Sequence, residues 1–390
     1  MRYIEELLQD EKIEWLQIGT ITDYEQPTNY LVKSTNYHSS YTIPVLTAGK
    51  TFILGYTNET DGVYKASKSP VIIFDDFTTA NKWVDFDFKA KSSAMKMITS
   101  KDESKVLLKY IFYWLNSLPY ESMEGDHKRQ WISNFCKKKV PIPCPSKPEK
   151  SLEIQHKIVD ILDKFTQLEA ELEAELDCRK RQYEYYRNQL LSFEMLNGGG
   201  KTLNNITIKT LEEITEIKRG RRLVRSELNK KGCYAVFQNS MTPLGFYNKS
   251  NVCGDTTFII SAGAAGEIGY SSIDFWAADD IYYFVPSTNI CSKYIYYFLM
   301  TKQSVIKGQV RRASVPRLAK NAFIKMQIPV PSLTEQQRIV SILDKFDTLI
   351  NSISEGLPKE IELRRKQYEY YRNALLSFNH TSKNESASAV

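Results

Sequence analysis

The sequence predicts two mixed α/β heads, separated by a long antiparallel two-helix coiled coil, the whole laid out as a pseudo-twofold internal duplication. Three observations predict it. The chain is written twice: RKRQYEYYRNQLLSF (179–193) returns as RRKQYEYYRNALLSF (364–378), IVDILDKF (158–165) as IVSILDKF (339–346), KYIFYWL (109–115) as KYIYYFL (293–299), and IPCPS (142–146) as IPVPS (328–332). Short runs of strand character alternate with helical ones upstream of each repeat. Two long stretches then carry apolar residues every three or four positions. Two copies are too few for a stacked solenoid, whereas a chain duplicated once gains the geometry of a homodimer inside one polypeptide. The expected segments are a first head (1–146), a first helical arm (147–200), a second head (201–331), a second arm (332–380) and a disordered tail (381–390).

In the heads, VDFDFK (84–89) alternates at period two, as a half-buried strand does. PVIIF (70–74), TFII (257–260) and YYFV (282–285) are apolar or aromatic runs of strand length, while 104–115 and 291–300 have helical character. Prolines at 141–148 and 329–331 are expected to close each head, because proline lacks a ladder donor and restricts its predecessor. Each arm then has a helix start: Ser151 as a simple N-cap for the first, and Thr334 with Gln337 as a capping box for the second.

The first arm places Ile154, Ile158, Ile161, Phe165, Leu168, Leu172 and Leu176 on one face, continued by Tyr183, Tyr186, Leu190 and Phe193 and ended by Asn197-Gly198-Gly199-Gly200. At 1.5 Å per residue such a rod is about 60 Å long. A helix apolar on one face needs a partner, and the second arm supplies it with Ile339, Ile342, Phe346, Leu349 and Ile353 and the 368–378 stripe. The Gly356-Leu357-Pro358 step marks a kink or break. The stretch from Phe346 to Gln367 is four residues longer than that from Phe165 to Gln182, so the two copies do not match perfectly. LEAELEAE (168–175) repeats a four-residue unit. Each unit adds about 6 Å and turns the downstream helix by about 40° beyond a full turn, as a spacer does, although the same residues also make a plain, well-solvated helix.

The 390 residues carry a net charge of +6, which permits nucleic-acid binding without requiring it. Twelve per cent aromatic residues argue for a folded chain. No apolar run approaches the roughly 18–20 residues of a membrane span. The six cysteines lack CxxC spacing and read as reduced thiols of a cytoplasmic protein, with no metal and no cofactor expected. No catalytic motif survives inspection. Gly200-Lys201-Thr202 lacks the earlier glycine of a phosphate-binding loop, where Met195 stands. GAAGEIG (263–269) reads as a close-approach loop rather than a dinucleotide site, Asp75-Asp76 as a strand-end turn, and four scattered histidines form no triad or metal set. The reading is a binding protein.

Its candidate nucleic-acid contacts are basic and polar clusters in the heads: Lys218, Arg219, Arg221, Arg222 and Arg225, followed by Lys230 and Lys231; Arg311, Arg312, Arg317 and Lys320; Lys128 and Arg129; Lys137 and Lys138; and Asn36, Tyr37 and His38 in a polar loop. Lys and Arg at strand ends suit phosphates, and Arg and Asn reach base edges. The arm clusters at 179–181 and 364–366 instead fit helix-stabilising i,i+4 pairs, Glu175–Arg179, Asp177–Arg181 and Glu362–Lys366.

The repeated QYEYYRN and LLSF segments, LEAELEAE, AAGEIGYSSIDFWAAD (264–279) and the stretch 313–332 resemble the specificity subunits of type I restriction-modification systems, along the whole chain. The resemblance implies two target-recognition domains, each reading one half of a split sequence in double-stranded DNA, with the helical rod setting the gap. It implies no catalysis by this chain. Two modification subunits would carry S-adenosylmethionine and methylate adenine, docked on arm surfaces that include Tyr183, Tyr185, Tyr368 and Tyr370, and restriction subunits with the motor and nuclease would join them. A non-catalytic two-headed scaffold for two protein partners explains the duplication equally well, but not the loop arginines.

Overall fold

The computed structural model describes residues 8, 11–48, 51–119, 129–198, 206–229 and 232–378. The chain forms two compact units, Met1–Glu171 with Ile361–Val390, and Leu172–Glu360. The divisions fall inside the arms rather than between the sequence copies. The expected tail at 381–390, Gly199 to Thr202, Lys128, Lys230 and Lys231 lie outside the described residues.

The first unit runs β1 (Ile13–Gln17), α1 (Ile18–Ile21), β2 (Thr22–Glu25), β3 (Ile43–Leu46), β4 (Ile53–Thr57), β5 (Val71–Asp75), β6 (Asn81–Val84), β7 (Lys89–Ala90), β8 (Met95–Ser100), α2 (Leu108–Ser117), α3 (Gln130–Ser133) and β9 (Lys139–Pro143). One antiparallel sheet has the order β2-β8-β5-β6. A second, β4-β3-β7, contains the parallel pair β3·β7, and β1 and β9 make a ribbon. Helix α4 (Pro148–Leu190) comes next, then α5 (Phe193–Gly198).

The second head repeats this plan with β10 (Thr207–Thr210), α6 (Leu211–Ile214), β11 (Thr215–Arg219), β12 (Tyr234–Phe237), β13 (Gly245–Tyr247), β14 (Thr256–Ile260), β15 (Ile268–Ser271), β16 (Trp276–Ala277), β17 (Ile281–Pro286), α7 (Ser292–Thr301), α8 (Gln303–Gly308) and β18 (Gln327–Val330). Its sheets are ordered β11-β17-β14-β15, β13-β12-β16 and β10-β18, strand for strand the order of the first head. Helices α9 (Leu333–Asn351) and α10 (Gly356–Leu376) complete the chain.

The runs at 70–74, 257–260 and 282–285 are the strands β5, β14 and β17, as expected. The run VDFDFK is not one strand. Sheet pairing stops at Val84 and resumes in the other sheet at Lys89; between them Asp85 accepts from the Trp83 indole two residues back, and Asp87 accepts from the Ser67 hydroxyl, far off in sequence. Of the prolines expected to close the heads, Pro145, Pro148 and Pro331 do follow the last strand, whereas Pro141, Pro143 and Pro329 lie inside strands. Pro141 and Pro143 are two apart in β9, so both missing donors face one side, and a two-stranded ribbon has an edge to offer them. Pro329 sits likewise in β18.

The repeated segments meet one another. In the first unit Tyr110 donates to the Pro141 carbonyl (2.7 Å), Tyr113 to the Asp163 carboxylate, and Lys109 pairs with Asp163 (3.0 Å). Gln155 accepts from the Leu107 N–H and donates to the Lys105 carbonyl. In the second unit Tyr294 donates to Pro329 (2.8 Å), Tyr297 to Asp344, Lys293 pairs with Asp344 (2.9 Å), and Gln336 accepts from the Cys291 N–H and donates to Asn289. Burial pushes the Tyr113 and Tyr297 hydroxyls well above the ordinary phenol range, so they remain donors. KYIFYWL and IVDILDKF therefore recur because together they bolt a head to the start of its arm.

The arms depart from expectation at their ends. Helix α4 begins at Pro148, so Ser151 lies in its first turn, buried, with its hydroxyl accepting from Gln155 instead of capping. Ser332, not Thr334, caps α9 by accepting from the Glu335 N–H. The second arm is broken. The four extra residues in it are the connection 352–355, after which Gly356 takes φ +81°; a Cβ there would lie 2.6 Å from the Thr348 and Leu349 carbonyls. Ile353 falls in this connection, 81% exposed, and packs against no arm.

Elsewhere the stripes pack antiparallel within each unit. Phe165 stacks on Tyr371 (5.2 Å) and Glu169 pairs with Arg365, while Ile158 is buried and Ile161 packs against the same cluster. In the second unit Tyr186 stacks on Phe346 (5.8 Å), Ile339 is buried, Leu349 packs beside it, and Ile342 is half-buried. Leu168 and Leu172 are half-buried. The arm cations are spent in pairs as expected, Arg179 with Glu175 (2.7 Å), Arg181 with Asp177 (2.9 Å) and Lys366 with Glu362.

Candidate nucleic-acid interface

Two loops in each head gather the basic and polar candidates, and backbone register makes them the same two loops. The first comes after β2 or β11. In the second head it starts where the Arg221 N–H donates to the Ala277 carbonyl (2.9 Å) and ends where the Asn229 N–H donates to Phe246 (2.8 Å). In the first head it starts with Val32 N–H on Ala90 (2.9 Å) and ends with His38 N–H on Tyr56 (3.1 Å). Val45 faces Gly55 as Val236 faces Gly245, so these bonds occupy equivalent places. The Asn36–Tyr37–His38 cluster and the Arg221–Arg222–Arg225 cluster are thus two versions of one loop, with Lys33 at the place of Arg222. A glycine serves each. A Cβ on Gly55 would lie 2.8 Å from Tyr37, and one on Gly245 would lie 3.3 Å from Leu228.

The second loop precedes α3 in the first head and comes after α8 in the second. Asp76 N–H donates to Ala94 and its carbonyl accepts from Gln130 (2.8 Å); Ser261 N–H donates to Asp280 and its carbonyl accepts from Leu318 (2.8 Å). Arg129 therefore stands where Arg317 stands. Arg311 and Arg317 exchange backbone hydrogen bonds across a turn whose tip holds the exposed Val315, and Arg317 also bridges Ala262. The segment Ala277 to Asp280 borders the first loop of the second head: Ala277 accepts from the Arg221 N–H, and Arg219 Nε, at the end of β11, donates to the Asp279 carbonyl (2.6 Å). Gly220 allows this approach, because a Cβ there would lie 2.1 Å from the Ala278 carbonyl.

What these cations are free to do differs. Among the described residues nothing engages the guanidiniums of Arg221, Arg222, Arg225, Arg311, Arg312 or Arg317, all of them exposed. Lys218 is paired with Glu216 (3.0 Å), and Lys320 reaches the Ile217 carbonyl (3.0 Å), so both brace β11. In the first head Arg129 and Asn36 are exposed, His38 Nδ1 lies 2.7 Å from the Ser40 hydroxyl, and the half-buried Tyr37 lies under Lys91. Lys137 and Lys138 are not part of this gathering. They sit at the end of the β1–β9 ribbon, where the Lys138 carbonyl accepts from Ile18 at the opposite end of β2, and Lys138 lies over Phe135.

Asp75 and Asp76 are structural, as their sequence context suggests. Asp75 accepts from the Phe77 N–H and the Thr78 hydroxyl, and Asp76 from the Trp131 N–H. The 263–269 segment is a close-approach loop, with Gly263 at φ +78° and Gly266 at φ +86°. No group of His, Cys, Asp and Glu that could hold a metal occurs among the described residues, and none of their helices is long and apolar enough to cross a membrane.

Of the candidate docking tyrosines, Tyr183 is buried in the second unit and Tyr368 is half-buried against the core of the first. At 100° per residue Tyr183 and Tyr186 share a face, while Tyr185 turns away. Tyr185 and Tyr370, 60% and 68% exposed, each lie edge-on to the next tyrosine, Tyr186 and Tyr371.

A sequence reading misses the residues that hold the first loop down, Glu59, Lys89 and Trp276. Setting the two copies side by side along β7 and β16 finds the last two; Glu59 has no counterpart to betray it.

Against known proteins, the family model of the type I restriction modification DNA specificity domain matches twice, over residues 10–177 and 204–363. The chain is 52% identical over 400 residues to the specificity subunit of the Escherichia coli type I restriction enzyme EcoR124I/EcoR124II, covering 97% of both. It is 27% identical to a putative type I restriction enzyme specificity subunit of Haemophilus influenzae, over 96% of this chain and 98% of that one. In fold it matches the S subunit of a type I restriction-modification system from M. genitalium, with a TM-score of 0.65 at 18% identity over 95% and 97% of the two chains.

Proposed function

The chain belongs to the type I restriction modification DNA specificity family, and from that premise we propose that each head reads one half of a bipartite DNA site through its two equivalent loops. As a specificity subunit it supplies recognition, while the chemistry belongs to other subunits of the complex. The observation that carries the loop assignment is the set of exposed, unengaged guanidiniums on the two loops of the second head, with exposed Asn36 and Arg129 on the equivalent loops of the first, against the arm cations locked in pairs. Phosphate contacts from such groups position a head, and Arg, Asn and Gln among them discriminate bases.

Two modification subunits dock on the arms through the exposed Tyr185 and Tyr370, and restriction subunits join that assembly in the cytoplasm. The arms set the distance between half-sites. Inserting one Leu-Glu-Ala-Glu unit after Glu171 is expected to change the unspecific spacer and leave both half-sites intact, read by sequencing methylated DNA. An unchanged spacer would remove the ruler. Arg221→Ala with Arg222→Ala is expected to relax the second half-site; methylation identical to the parent would overturn the loop assignment and restore the scaffold reading.

A further inference from the structure

The first loop of each head rests on the same seat, filled by different chemistry. The seat is the opening residue of the two-residue strand that pairs parallel to β3 or β12: Lys89 opposite Val45, and Trp276 opposite Val236. Lys89 is 2% exposed. Its ammonium contacts Glu59 (3.1 Å) and donates to the Asp61 carbonyl (2.6 Å). The Glu59 carboxylate in turn accepts from the backbone N–H groups of Lys33 (3.1 Å) and Ser34 (2.8 Å), just where the loop leaves the sheet. A buried ammonium needs such partners, so the pair fixes the loop entry in one place. In the second head the Trp276 indole N–H donates to the Arg221 carbonyl (2.9 Å), one residue before the place equivalent to Lys33, and the ring lies edge-on to Tyr247.

We propose that this seat positions the reading loop, through Lys89 and Glu59 in the first head and Trp276 in the second, and so determines base specificity from beneath the interface. The inference rests on the loops being the reading surface. The seat residues are positioning residues; what they fix is the path of the backbone that presents Lys33 to His38, or Arg221 to Asn229. Neither Glu59→Gln nor Trp276→Phe removes a side chain from the loops themselves. Glu59→Gln leaves a neutral group against the Lys89 ammonium, and Trp276→Phe keeps an aromatic ring but no donor.

The test uses the full chain assembled with its modification subunits and reads methylation at cognate sites against sites altered by one base in either half. Glu59→Gln is expected to lower discrimination in the first half-site on the order of tenfold, near the lower range of what one good base contact supplies, with the second half unchanged. Trp276→Phe is expected to do the reverse. The untouched half-site shows in each case that the chain is folded and docked. The double variant Glu59→Gln with Lys89→Met removes the buried charge altogether and is expected to relax the first half-site alone. Unchanged discrimination in both single variants, or equal loss in both half-sites, would overturn the seat. Arg221→Ala with Arg222→Ala, run alongside, separates the two failures. If it relaxes the second half-site while the seat variants do nothing, the loops read DNA and only the seat is wrong.

Discussion

The two heads share strand order, register and the attachment to their arms, and differ in what covers and underlies two loops. Tyr113 and Tyr297 make the same bond to equivalent arm aspartates, Asp163 and Asp344, and Tyr110 and Tyr294 the same bond to a strand proline. The loop after β2 carries Asn36, Tyr37 and His38, where the loop after β11 carries three arginines; beneath them lie an ion pair in one head and an indole in the other. The lesson is a division of labour. Contacts that join head to arm are the same in both halves, and those on and beneath the two loops differ between them, as the proposed reading of two different half-sites requires.

The comparison can be broken most severely at Gly220. Alanine there would meet the Ala278 carbonyl, and an overpacked backbone approach of this kind costs roughly 3 kcal/mol. Faster hydrogen exchange is expected over β12 and β16, with β3 and β7 unaffected. The shared attachment tests the other side. Tyr113→Phe and Tyr297→Phe each remove a bond to a carboxylate, about 2 kcal/mol by denaturant unfolding, and clearly unequal losses would contradict the equivalence.

Next in size, Arg311→Ala with Arg312→Ala, both exposed on the other loop, should reduce the salt slope of DNA binding by the assembled complex by about 2, at roughly 0.9 for each phosphate no longer neutralised. Acid separates the heads more gently. Burial pushes Glu59 upward, but the Ser34 and Lys33 N–H groups and the Lys89 ammonium outweigh it and hold the carboxyl below its ordinary value. A depressed carboxyl stabilises the fold above its unfolded value and loses that contribution as pH falls through the folded one. Exchange protection of the Lys33 and Ser34 amides should therefore hold through mild acid and fall only below the ordinary carboxylate range, and Glu59→Gln should abolish that dependence. The smallest effect is expected from Arg181→Ala, whose exposed i,i+4 pair with Asp177 contributes about 0.4 kcal/mol.

Much of this architecture is legible in the sequence because repetition and periodicity report packing directly. QYEYYRN marks the arms, and PVIIF and TFII mark buried central strands. Proline misleads where its context is an edge, since Pro141, Pro143 and Pro329 tolerate a ribbon that a central strand would forbid. Ile353 misleads because its helical spacing runs on past Asn351, where α9 ends several residues ahead of the Gly356-Leu357-Pro358 step that marks the break in the sequence. Tyr183 is buried because its helical phase turns it, with Tyr186, toward Phe346, which a run of tyrosines does not show. The basic clusters are visible, but their equivalence is not, because it lies in backbone bonds such as Val32 to Ala90 and Arg221 to Ala277. Glu59 is invisible for the same reason, since it reaches the loop by folding back across the sheet.

The central claim, that equivalent loops in the two heads read separate half-sites, is tested most directly by methylation-sensitive single-molecule sequencing of DNA from cells expressing this chain with its modification subunit, for the parent and for Arg221→Ala with Arg222→Ala. The account predicts a split, adenine-methylated motif in the parent and relaxation of one half alone in the variant. A contiguous motif in the parent, or a variant motif with both halves intact, would contradict it.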